Sequence, residues 1–76
     1  MEELLKFLVK ALVEKEDEVT VEKAEDESSI TFTVKVAEND VGKVIGKAGK
    51  TANSIRTVMK SIGAKTHKKV FVKFED

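Results

Sequence analysis

Two periodicities take turns along this 76-residue chain. From Glu2 to about Lys15, Leu4, Leu5, Leu8, Ala11 and Leu12 recur at i, i+3, i+4 and i+7. That spacing predicts an amphipathic helix, with Glu2 and Glu3 at the positive end of its dipole. Phe7, Val9 and Val13 widen the stripe beyond one buried face; they serve either the core or a self-association surface. The period then changes to two. Val19–Lys23 alternates as a short strand, and Ile30–Val36 alternates strictly for seven residues rich in β-branched side chains. The polar turn Glu25–Ser29 between them favours an antiparallel hairpin.

Helical spacing returns with Val41, Val44 and Ile45, a short helix that Asn39 or Asp40 can cap and Gly46 interrupts. A second helix is predicted from about Lys50 to Ile62. Ala52, Ile55, Val58, Met59 and Ile62 share one face, and Asn53, Arg56, Thr57 and Lys60 the other. Gly63 stands where a left-handed C-cap is expected. Lys69–Phe74 reads as a last strand. The order α-β-β-α-α-β predicts an α+β sandwich: three helices on one face of a three-stranded mixed sheet, with strands two and three parallel through a right-handed crossover. No linker, repeat or composition break divides residues 1–76, which are expected to form one domain.

Charge is more telling than composition. The net charge is zero, yet residues 1–40 carry five Lys against twelve acids (−7), and residues 41–76 carry nine bases against two acids (+7). Such a split suggests one face for a polyanion. With 41% hydrophobic and 37% charged residues the chain has a globular composition. Without cysteine it has neither a disulfide framework nor a Cys-based zinc site, so a reducing cytoplasm is the expected location. No apolar run approaches membrane-spanning length.

The candidate chemistry lies in the basic half, at Gly46-Lys47-Ala48-Gly49, flanked by Lys43 and Lys50. Two glycines three apart allow a sharp turn and a close backbone approach, and the loop feeds a helix start whose free N–H groups favour an anion. Gly49-Lys50-Thr51 is not the end of a nucleotide-hydrolase phosphate loop, because Val44 stands where that motif requires glycine. His67, the one histidine, lies among lysines and reads as a solvated turn residue. The acids 16–18 and 25–27 lack calcium-loop spacing and read as solvated turns. No nucleophile–base pair, metal set or cofactor motif emerges, so an enzyme is not expected.

A short helix, a G-x-x-G loop and a second helix bracketed by strands resemble the KH domain, a single-stranded nucleic-acid-binding module. Val44-Ile45-Gly46-Lys47-Ala48-Gly49-Lys50 is similar to that family's I-G-x-x-G stretch. The extra helix and strand precede the core, as in the type II, prokaryotic topology, and the length resembles small bacterial single-KH RNA-binding proteins of the KhpA type. The resemblance implies a loop that clamps the backbone of about four nucleotides. Lys43 and Lys50 would flank the phosphates, Val44, Ile45 and Ile55 would line an aliphatic groove, and Arg56 would sit at its rim. With no Trp or Tyr, and four Phe assigned to core or interface, no aromatic platform is expected. The implied partner is single-stranded RNA, with single-stranded DNA as the other polyanion. The implied role is that of an RNA chaperone or post-transcriptional regulator, alone or paired in a homodimer or in a heterodimer with another KH protein. The alternative is a dimerising adaptor module with a vestigial loop.

Overall fold

A computed structural model describes residues 1–75; Asp76, the last residue of the expected 1–76 unit, lies outside the described residues. The elements are α1 (Glu2–Lys10), β1 (Thr20–Glu25), β2 (Ser29–Lys35), α2 (Val41–Ile45), α3 (Lys50–Lys65) and β3 (Lys69–Glu75). Single 3-10 turns at Glu16–Glu18, Glu38–Asp40 and Lys47–Gly49 join them. The sheet order is β1-β2-β3. β1 runs antiparallel to β2, with Lys23 opposite Phe32, and β3 runs parallel to β2, pairing Ile30 with Val70 and Phe32 with Val72.

The central strand explains why the sheet is covered on one side only. Ile30, Phe32 and Val34 are buried, whereas the alternating Ser29, Thr31 and Thr33 are half-buried on the opposite face. The helices pack over the first face, where Leu5 and Val9 of α1, Val44 of α2, and Ala52, Ile55 and Met59 of α3 meet Val70 and Val72 of β3. This is the expected mixed α+β sandwich with the crossover in place.

α1 is shorter than its periodicity predicts, ending at Lys10 rather than near Lys15. The cause lies 25 residues away. The Asp40 carboxylate accepts the backbone N–H groups of Lys15 at 3.0 Å and Glu14 at 3.3 Å, drawing that segment off the helix axis. The buried face is also turned from the expected stripe. Leu5, Val9 and Val13 enter the core, while Leu4, Phe7 and Leu12 remain exposed. Asp40 precedes α2 at the cap position but makes no cap bond, because its oxygens serve Glu14, Lys15 and Lys43 instead.

Gly63 does not terminate α3. It lies inside the helix, where a Cβ would come within 2.2 Å of Val70 Cγ2 and 3.0 Å of the Lys68 carbonyl. Its role is close approach of helix to strand. The left-handed position falls four residues later, at His67 (φ 60°). There the N–H of Lys68 donates to the Gly63 carbonyl and that of His67 to the Ala64 carbonyl, the bonding of a Schellman closure.

Candidate nucleic-acid interface

Five residues of α2 deliver the chain to Gly46, whose N–H donates to the Gly42 carbonyl at 2.9 Å. Gly46 then adopts φ 75°, ψ 178°, a region open essentially to glycine alone. A Cβ there would lie 2.3 Å from Thr51 Oγ1 and 3.0 Å from the Thr51 nitrogen, so the loop folds back tightly on the start of α3. Gly49 is left-handed too (φ 75°, ψ 11°), but the space a Cβ would enter there is open apart from Asn53 Nδ2 at 3.9 Å. The two glycines therefore differ: the first is required by the protein's own packing, and the second bares backbone to whatever approaches.

Ala48 between them is also left-handed, at φ 54° and ψ 27°, which costs a non-glycine residue about 1 kcal/mol. No side chain caps α3 at Gly49. The Gly49 N–H donates to the Gly46 carbonyl and the Lys50 N–H to the Lys47 carbonyl, so what this 16-residue helix offers phosphate oxygens is its uncapped positive dipole end and the first-turn amides beyond Lys50. Lys47 and Lys50 are exposed beside it and form no salt bridge among the described residues.

The other expected site residues divide into three groups. Val44 is fully buried and Ile55 retains 6% of its surface, so both are core residues with almost nothing to offer a ligand. Helical spacing puts Val44 and Ile45 on one apolar face, but only Ile45 keeps exposed surface. Lys43 is tied back toward the α1–β1 connection, with Nζ 2.6 Å from Glu14 and 3.6 Å from Asp40. Its bond to Glu14 raises its pKa, while the backbone N–H of Lys15 is the main cause that holds the Asp40 carboxyl below its ordinary range. Arg56 is half-buried and held on three sides: Nε donates to the Val72 carbonyl, a guanidinium nitrogen to Asn53, and its Cζ lies 5.5 Å over the Phe74 ring. It fixes the rim where α3 meets the free edge of β3.

Residues 2–74 match the family model described as KhpA/KhpB, KH domain. The chain belongs to the KhpA/KhpB KH-domain family. It is 43% identical over 74 residues to the RNA-binding protein KhpA of Borreliella burgdorferi, covering 97% of this chain and 90% of that protein. It is 47% identical over 72 residues to the KhpA of Clostridium acetobutylicum (95% and 96%) and 39% over 70 residues to that of Chlamydia trachomatis (92% and 90%). Membership in the KhpA/KhpB family agrees with the α-β-β-α-α-β order and with the loop between α2 and α3. Sequence reasoning missed Asp40 as the bracket between the α1–β1 connection and α2. An acid beside a helix start signals a cap, and nothing in the local pattern points to a partner 25 residues away.

Proposed function

We propose that this chain is a non-catalytic protein that binds single-stranded RNA, gripping the phosphate backbone of about four nucleotides with the Gly46–Gly49 loop. The observation that carries the reading is the uncapped start of α3, framed by left-handed Ala48 and Gly49 and flanked by Lys47 and Lys50, which form no salt bridge among the described residues. Gly46 fixes the turn, Gly49 admits the backbone, Lys47 and Lys50 neutralise phosphates, and Ile45 with Arg56 bounds the base-facing side. Lys43 acts at longer range, its charge shared with two acids. The names of the relatives favour RNA over single-stranded DNA.

The 1–76 unit then works as one KH domain in the cytoplasm, as an RNA chaperone or post-transcriptional regulator. No helix among the described residues is long and apolar enough to cross a membrane. Exposed Leu4 and Phe7 on α1, with Leu12 just beyond its end, suit pairing with a second copy or another KH protein, and two linked clamps would gain avidity. The decisive variant carries Lys47→Asp with Ala48→Asp. It should keep its circular dichroism spectrum and lose gel-shift binding to single-stranded RNA. A folded variant that binds undiminished defeats the clamp.

A further inference from the structure

A second surface lies at the opposite end of α3. β3 is an edge strand, and Lys69, Phe71 and Lys73 project from its helix-distal face. Phe71 is 48% exposed although it stands mid-strand. Beside it a largely apolar cavity of about 630 Å³ opens where α3 ends, lined by Ser28, Lys60, Ala64, His67, Lys69 and Phe71. Lys60 and Lys69 make no salt bridge among the described residues. The nearby acidic turn is largely occupied by its own partners. Glu25 pairs with Lys23 and Lys68, and Asp26 accepts the N–H and hydroxyl groups of Ser28 and Ser29. Of the three acids in that turn, only Glu27 forms no salt bridge or side-chain hydrogen bond among the described residues.

We infer that this corner is a second nucleic-acid subsite, where a nucleobase stacks on Phe71 and neighbouring phosphates meet Lys60 and Lys69. The inference rests on the RNA-binding reading above and extends it. A ring between two cations matches a nucleotide, which offers a π face and a negative charge together. An apolar peptide is a poorer match, because the same-face neighbours of Phe71 along the strand are Lys69 and Lys73 and its cross-strand partner is Thr31. α3 is about 24 Å long, so the corner is reached by nucleotides beyond those in the clamp, along the β3 edge where Arg56 already holds the Val72 carbonyl. Stacking needs no particular base, so the subsite adds length dependence rather than sequence preference.

The chain has no Trp, so Phe71→Trp installs a single indole reporter on the corner. Its fluorescence should be quenched by an oligouridine of roughly ten residues and not by one of about four. Phe71→Ala, or Lys60→Glu with Lys69→Glu, should weaken the longer oligomer roughly five- to tenfold and leave the shorter unchanged. Phe71 lies outside the core cluster, so these variants should melt as the parent does. Normal binding of the longer oligomer to Phe71→Ala, or an unquenched indole in the complex, overturns the subsite and leaves the clamp standing. Quenching that survives Lys47→Asp with Ala48→Asp upholds the subsite and defeats the clamp. Binding of neither length defeats both.

Discussion

The two ends of α3 use the same backbone device for opposite purposes. At the N-terminal end Gly46, Ala48 and Gly49 take positive φ, and no side chain caps the helix. At the C-terminal end His67 takes positive φ, and there the amides of Thr66, His67 and Lys68 close on the carbonyls of Gly63 and Ala64. At the C-terminal end the left-handed residue closes the last carbonyls; at the N-terminal end the Gly49 and Lys50 amides donate inside the loop, to the Gly46 and Lys47 carbonyls, and no side chain occupies the first turn of α3. A helix end becomes a binding element when its positive dipole end is left without a capping side chain. At the closed end, recognition can come only from side chains.

Glycine substitutions test this contrast most severely. Gly46→Ala meets both a forbidden backbone region and Thr51, a loss of about 3 kcal/mol. Gly63→Ala drives a methyl against Val70, a loss of about 2 kcal/mol after its gain in helix propensity. Thermal melts should rank the parent above Gly63→Ala and that above Gly46→Ala. Among molecules still folded, only Gly46→Ala should bind RNA less well. Equal RNA loss in both would mean that the open end has no special role.

Asp40 ties the start of α2, the helix that leads into the open end, to the α1–β1 connection. Its carboxyl pKa is lowered chiefly by the Lys15 N–H, with Glu14 N–H and Lys43 adding to the effect. A depressed carboxyl stabilises the fold above the ordinary carboxylate pKa, and that contribution is lost as pH falls through the folded-state value. Asp40→Asn should therefore lower the melting temperature at neutral pH by on the order of 10 °C. The gap from the parent should narrow as pH falls through the acid range. A gap that stays constant with pH would show that the charge is irrelevant to the tie.

Much of this architecture is legible in local spacing. The seven-residue alternation of Ile30–Val36 places the central strand to within a residue of its observed bounds, and the Gly46–Gly49 spacing locates the open helix end. What escapes is set by contacts distant in sequence. The face that α1 buries depends on where β1 and α3 lie, so Val9, and Val13 beyond the helix, join Leu5 in the core in place of Leu4 and Leu12. Gly63 resembles a cap by position, and only the approach of β3 explains it. Phe71, counted with the other Phe as core or interface, is out of phase with Val70, Val72 and Phe74 and falls on the uncovered face of an edge strand. Val44 and Ile55 invert that error, since apolar residues near a loop can line a groove or fill the core, and here they fill it.

The finest test replaces the two non-glycine residues held left-handed, one at each end of α3. Ala48→Gly removes backbone strain of about 1 kcal/mol, partly offset by the greater freedom of glycine in the unfolded chain. A net gain of roughly 0.5 kcal/mol should raise the melting temperature by about 3 °C. His67→Gly should gain less, because histidine tolerates the left-handed region better than alanine. Binding should separate what stability does not. His67→Gly would leave the Schellman bonds and the loop unchanged, so affinity for an oligomer of about four nucleotides should stay the same. Ala48→Gly would loosen a loop whose donors are pre-aimed, and ordering it on binding should weaken the same oligomer by a few-fold. If Ala48→Gly binds as tightly as the parent, the strain at Ala48 is incidental, and the open end owes its function to Gly46 and the uncapped helix alone.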